Sequence, residues 1–390
     1  MRLIKLQILL IALFTSSLTV FSQQEKMVLE GVIKDEFNMT IPYASITIFN
    51  KNNGTSSTEE GGFTLSVSKE NLKDSLFVSS IGFESLKLKV QDFINNKDKN
   101  IVLKEHVTSL STVEILKNVD YVKRAIKNLR QNSVGSRHQL KILYRRASEE
   151  EGISRFFVEH YINVIDYGVG VSAFNDIEIM EGRKSADYRF VKKKFPIHNI
   201  KVMATRNPLR EGIPFKKYKW TKKGDTSYDG EDVVIMEGRI GKQRFLRLYI
   251  GVDTYGIYKV ETSDLDAVYV YKKNKDGKLY LSYHNRVWKS AVPLPEYQRK
   301  LRGITKGDNK ITVAYRHEAF VMGIETNRKK INFGKNYNEV MDMGDMKVPY
   351  HADFWKNFNV PPDTEFFRKI KSELESHYGV PLEKQYELVN

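Results

Sequence analysis

Cysteine is absent from all 390 residues. That excludes disulfides, thiolate metal sites, a cysteine nucleophile and a lipid-modified N-terminal cysteine. A long apolar run occurs only near the start. Residues 1–22 place Arg2 and Lys5 before an apolar stretch from Leu6 to Val20, followed by Ser22 and Gln23. This order predicts a cleaved secretory signal peptide, with Val20 and Ser22 as small-residue cleavage positions. The competing reading, a membrane anchor, is weakened because Thr15, Ser16, Ser17 and Thr19 break a run already shorter than the ~20 residues of a spanning helix. No transmembrane span is expected after cleavage, and export to the periplasm, the outer membrane or the cell surface follows. An exported chain of this size needs no disulfides, because one or two ordinary cores are large enough.

Signatures of catalysis are also missing. The residue three places after each histidine is Ser109, Lys141, Asn163, Lys201, Val287, Phe320, Phe354 or Val380, so the H-x-x-E pair of a zinc carboxypeptidase does not occur. H-E-x-x-H fails after His317-Glu318, and GVGVSAF (168–174) lacks the second glycine that would make Ser172 an exposed nucleophile. MEGRIGKQ (236–243) lacks the spacing of a phosphate loop, and NKDGK (274–278) has too few carboxylates for calcium. Both read as turns. The acidic clusters SEEEG (148–152) and Asp264 with Asp266 read as solvated turns rather than a glycosidase pair. No catalytic residue, metal ligand or cofactor is assigned, and a non-enzymatic protein is expected.

What is present begins with alternation. VLEGVIKD (28–35), YASITIFN (43–50), GFTLSV (62–67), DSLFVSSIGF (74–83), SLKLKV (85–90) and IVL (101–103) are short and β-branched or aromatic, with turn residues between them. They predict a β-sandwich over 27–104, in which Gly54 and Gly61 supply positive φ and Phe63, Leu65 and Val67 face the core. INNKDKN (94–100) reads as a polar connection.

On GVIKDEFNMTIPYASITI, GTSSTEEGGFTL and SLFVSSIGFESL, this region resembles the carboxypeptidase-like regulatory domain, a transthyretin-like sandwich of Gram-negative envelope proteins. It departs from the family's pattern at Thr58, where Asp is preferred, and at Asn38 and Met39, where a turn glycine is common. The resemblance implies a fold and an envelope setting, with no chemistry. LSTVEIL (110–116) resembles the segment that joins this module to a TonB-dependent receptor, but the remaining length is too short for such a barrel. Residues 119–378 resemble the uncharacterised C-terminal region found with this module in Bacteroidetes-type exported proteins.

After a linker at 105–118, Val119, Val122, Ile126 and Leu129 recur at helical spacing, predicting a helix to Asn132. Nine strand-like runs follow: 140–147, 155–166, 231–240, 243–253, 256–265, 267–274, 278–288, 295–303 and 310–323, with turn signals such as DTYG and KDGK. The expected class is mainly β: the sandwich, then an α+β domain at 119–350 with one large curved antiparallel sheet and one packed helix. A helical tail at 351–390 completes it. Its helix is expected after Pro362, with Asp363 as N-cap and a stripe of Phe366 or Phe367, Ile370, Leu374 and Tyr378.

The net charge of +15 is uneven. From Arg183 to Lys223, fourteen Lys or Arg face two acids, Asp187 and Glu211. This segment is expected to be a long loop or irregular strands. Lys192, Lys193, Lys194, Lys216, Lys217, Lys219, Trp220, Lys222 and Lys223 form a candidate anionic-ligand surface, the lysines neutralising a polymer and the rings stacking on it. The structural alternative makes the rings core and the lysines an edge that blocks strand pairing. Expected partners are an envelope protein, an anionic polysaccharide or a lipid; intracellular nucleic acid is not. Four functions stay open, in this order: an envelope binding or scaffolding module, an accessory to a TonB-type uptake or surface system, a carrier of an apolar ligand or lipoprotein, and last an enzyme such as a glycan hydrolase.

Overall fold

The computed structural model describes residues 26–106, 118–191, 199–303 and 309–389. The signal segment 1–22, the LSTVEIL joiner, Lys192, Lys193 and Lys194 lie outside the described residues.

The first seven strands are β1 (Lys26–Asp35), β2 (Ser45–Ile48), β3 (Gly54–Ser56), β4 (Gly62–Ser68), β5 (Ser75–Ser79), β6 (Leu86–Lys89) and β7 (Asn100–Leu103). They form two sheets, ordered β4-β1-β7 and β3-β2-β5-β6, around Ile33, Ile46, Phe63, Leu65, Leu76 and Val78. Gly61 has φ +76, as its turn requires. Gly54 is needed for space instead of for φ: a Cβ there would meet the Ile46 carbonyl at 2.7 Å. Val90–Asn95 forms a short helix, α1, where strand end and polar connection were expected, because Val90 and Phe93 both turn into the core.

Beyond α2 (Asn118–Asn132) lies one ten-stranded sheet, antiparallel throughout. Its strands are β8 (His138–Glu150), β9 (Ile153–Asp166), β10 (Asp176–Lys184), β11 (Lys219–Tyr228), β12 (Glu231–Ile240), β13 (Arg244–Gly251), β14 (Ile257–Thr262), β15 (Ala267–Lys273), β16 (Leu279–Pro293) and β17 (Lys310–Glu325). The order β10-β9-β8-β17-β16-β15-β14-β13-β12-β11 joins a three-strand meander to a seven-strand one, with β17 beside β8. Two hairpins close on two-residue turns, Glu151-Gly152 and Asp229-Gly230, with positive φ at all four residues. Turns of that kind match the twist of the strands they join.

Two expectations are corrected. Residues 296–301 form helix α5 (Glu296–Leu301), not a strand, following Pro295 and opening on an acidic first turn. The 183–223 segment contributes the end of β10 and the first half of β11, with α3 (Val202–Thr205) and α4 (Pro208–Glu211) between.

The sheet's two faces are covered differently. On one, α2 packs on β11 and β13 and buries Val122 and Ala125 in the same core cluster as Met236, Leu248 and Tyr258. On the other, the C-terminal helices pack over β8 and β9, and the sandwich packs over β15 to β17. The C-terminal helices are α6 (Ala352–Asn357), α7 (Glu365–Tyr378) and α8 (Leu382–Val389). Phe367, Ile370 and Leu374 of α7 meet Ala147 and Phe157. Thr364, rather than Asp363, caps α7, and Gly379 ends it at φ +66. Among the described residues no helix is long and apolar enough to cross a membrane.

Candidate functional site

The turn before β2 presents Tyr43 at φ +60, a conformation that costs a residue with a Cβ about 1 kcal/mol or more. Its ring stacks on Tyr283 of β16, with centroids 4.6 Å apart. The Asn285 amide donates to the hydroxyls of both Tyr43 and Tyr283 at 3.2 Å. Around this stack the TEEGG turn acts as a clamp. Glu59 pairs with Arg316 of β17, and Glu60 pairs with Arg368 of α7 at 2.9 Å. Thr64 donates its hydroxyl proton to the Val360 carbonyl at 3.0 Å, and Asn53 forms a β-bridge with Gly323. At the far side the Gly82 amide donates to the Ser227 carbonyl at 2.7 Å. The sandwich thus lies across the sheet from β17 to β11.

Under the clamp runs a buried polar chain. Tyr283 donates to Glu318 at 2.6 Å, and Glu318 receives Arg145 Nε at 2.7 Å. Arg145 Nη1 also reaches Asp363 at 2.9 Å, which explains why Asp363 does not cap α7; Lys371 holds the same carboxylate at 2.8 Å. Arg145 is 0 % exposed. Burial works against its charge, but the carboxylates of Glu318, Asp363 and Glu159 outweigh burial and raise its pKa.

Between sandwich and sheet is a cavity of ≈ 220 Å³. Ile41, Ile81 and Phe83 line it from the sandwich, and Tyr249, Val270 and Lys272 from the sheet. The Lys272 side chain leaves β15 just past a register shift between Val270 and Tyr271, and it is 2 % exposed. Its Nζ donates to the Thr55 carbonyl at 3.4 Å and lies 5.6 Å from the centre of the Tyr280 ring. Desolvation alone lowers its pKa to about 7. Lys259 at the rim pairs with Glu261 at 2.6 Å. A second cleft of ≈ 640 Å³ lies near α4 and β13, lined mainly by polar groups that include Arg206, Glu211, Arg244 and Asp264.

Of the candidate anionic-ligand surface, Lys216, Lys217, Lys219, Lys222 and Lys223 are exposed on or just before β11, an edge strand. Lys222 pairs with Asp225 at 2.6 Å and Lys223 with Glu237 at 3.4 Å. Trp220 is corrected from a stacking platform to core. It is 8 % exposed, packed among Met236 and Leu246, and its indole donates to the Phe215 carbonyl at 2.9 Å. Charge at a sheet edge blocks further pairing.

Other polar clusters carry structure. His138 lies 3.5 Å from Asp166, which Arg210 holds through two nitrogens at 2.9 and 2.5 Å. The second His138 nitrogen meets the Ser136 carbonyl at 2.8 Å. Glu150 accepts the Phe190 and Val191 amides. Ser172 is exposed in a bend, with no strand-to-helix turn. Among the described residues no three His, Asp or Glu side chains converge as a metal site requires.

Sequence signals for the seam were weak. Lys272 stands in a KKNKDGK run that resembles any solvated hairpin, yet its ammonium meets the Thr55 carbonyl of the distant sandwich.

Comparisons with known proteins place the sandwich. No curated protein matches the chain. Solved structures with similarity include a DUF1329 family protein from Desulfovibrio piger, 10% identical, with 52% of this chain and 92% of that one covered at TM-score 0.23. A putative outer membrane lipoprotein-sorting protein domain from Vibrio parahaemolyticus is 7% identical, covering 54% and 92% at TM-score 0.24. The MucA/MucB complex from Pseudomonas aeruginosa is 10% identical, covering 53% and 98% at TM-score 0.19. Likenesses of this size do not establish a shared fold. Residues 29–115 match the family model described as CarboxypepD_reg-like domain, and the N-terminal sandwich is a domain of that family.

Proposed function

We propose that this chain is a non-enzymatic binding protein of the cell envelope, and that its ligand site is the seam where the sandwich docks on the large sheet. One observation carries the reading: the ≈ 220 Å³ cavity is walled by both domains and by a buried lysine. Ligand sites favour such interfaces, where apolar walls converge with a few polar groups. The predicted signal segment and the CarboxypepD_reg-like domain support the envelope setting.

The carrier reading is less favoured, because α2 and the residues it packs on fill the helix face of the sheet. The accessory reading differs only in what the ligand-loaded protein then meets.

A small-molecule screen by calorimetry, run on the whole chain and on Ile81→Trp, tests the proposal. The tryptophan should fill the cavity. Saturable binding that the substitution abolishes supports a seam site. Turnover of a peptide, ester or glycan, abolished by one point substitution, overturns the non-enzymatic reading.

A further inference from the structure

Several buried cations among the described residues hold carboxylates, although Arg286 lies beside the Tyr144 hydroxyl, the Asn199 carbonyl and His317. Arg145 holds Glu318, Arg146 holds Asp342 through two nitrogens at 2.7 and 2.6 Å, Arg189 holds Asp187 at 2.9 Å, and Arg210 holds Asp166. This is how a low-dielectric interior tolerates charge. Lys272 departs from the pattern. Its described partners are the Thr55 carbonyl at 3.4 Å and the Tyr280 ring, whose centre lies 5.6 Å away, and no acidic residue lines the cavity it faces. Ser45, Ser79 and Ser80 also line the cavity.

We infer that the seam cavity takes a small organic monocarboxylate, its head on Lys272 Nζ and its apolar body against Ile41, Ile81, Phe83 and Val270. This rests on the seam being a binding site, as proposed above. The charge fits a single carboxylate head on Lys272, because Lys259 at the rim is already engaged by Glu261, which also holds Arg247. The size fits as well. A cavity of about 150 Å³ accommodates benzene, so ≈ 220 Å³ suits a body of roughly six to ten heavy atoms. Burial that holds the free ammonium near neutrality is consistent with a missing counter-charge, and a bound carboxylate would restore the cation.

Calorimetry on the full chain with hexanoate and phenylacetate, each beside its own amide, tests the assignment. The wild type should bind each carboxylate at least tenfold more tightly than the amide, as expected of a charge-assisted contact. Lys272→Met, checked for a native circular-dichroism spectrum, should lose that preference while keeping the amide's affinity. Ile81→Trp should bind neither. Amides that bind the wild type as tightly as carboxylates, and are lost in Ile81→Trp, overturn the carboxylate and leave the seam site standing. No binding of either pair at millimolar concentration also overturns the carboxylate. Carboxylate binding unchanged by Ile81→Trp puts the site elsewhere and overturns both.

Discussion

Tyr43, held at φ +60 in the turn before β2, lies stacked on Tyr283 of β16 with the ring planes inclined at 27°. The contact joins the two domains at a residue whose own backbone is strained. Tyr43→Gly removes the ring and relieves the strain, whereas Tyr43→Ala removes the ring and keeps it. Both should destabilise the chain in urea, the alanine variant by about 1 kcal/mol more. Faster amide exchange at Asn285 and Glu318 should accompany the loss. Equal stability of the two variants would mean that the backbone at 43 is not strained.

Arg145 is the hub of the buried chain from Tyr283 to Lys371. Arg145→Met leaves Glu318 and Asp363 without their shared cation, at a cost of about 3–5 kcal/mol. The double variant Arg145→Met with Glu318→Gln should recover part of that loss, because the uncompensated charge is gone. Urea midpoints for the four members of the cycle check this; strict additivity would show that the two groups do not interact.

Lys272 has its pKa lowered to about 7 by burial, from an ordinary value of 10.5. Between those values the unfolded chain binds the proton more strongly, so this group makes stability rise with pH from about 7 to about 10.5. Below 7 its penalty is fully present, at most on the order of 5 kcal/mol. Lys272→Met removes the penalty. Its advantage over the wild type, measured by chemical denaturation without ligand, should be largest near pH 6 and shrink towards pH 10. An advantage independent of pH would show that Lys272 is not desolvated.

How far the sequence revealed this arrangement depends on the range of the contacts involved. The sandwich was legible because its signals are local: alternating Leu65 and Val67, the Gly61 turn, the short spacing of strands. The packed face of α2 followed from the spacing of Val122, Ile126 and Leu129. One failure arose where two local signals competed: alternation at 295–303 hid a helix that Pro295 and Glu296 begin. The lysines of 216–223 left two readings open, and the one that made them a sheet edge over core rings is the one β11 adopts. The seam was invisible for a different reason. Thr55 and Lys272 are 217 residues apart in sequence, and the side chains of Glu59 and Glu60 look like an ordinary acidic turn until their arginine partners are in place. The stretch GTSSTEEGGFTL therefore does more than mark a fold, since Glu59, Glu60 and Thr64 close the sandwich onto β17 and the C-terminal segment.

That closure can be tested directly, because a chain without cysteine allows one engineered pair to be read without ambiguity. Asn53 and Gly323 are β-bridge partners across the seam, and a Cβ at 323 would have only ordinary contacts, the nearest at 3.8 Å. Directly opposed antiparallel residues lie roughly 4.5–5.5 Å apart at Cα, within the range a disulfide spans. The Asn53→Cys, Gly323→Cys variant, oxidised in its folded state, is predicted to form one intramolecular disulfide, leave no free thiol and bind hexanoate as the wild type does. Two free thiols in the folded, oxidised protein would contradict the docking on which the site is built.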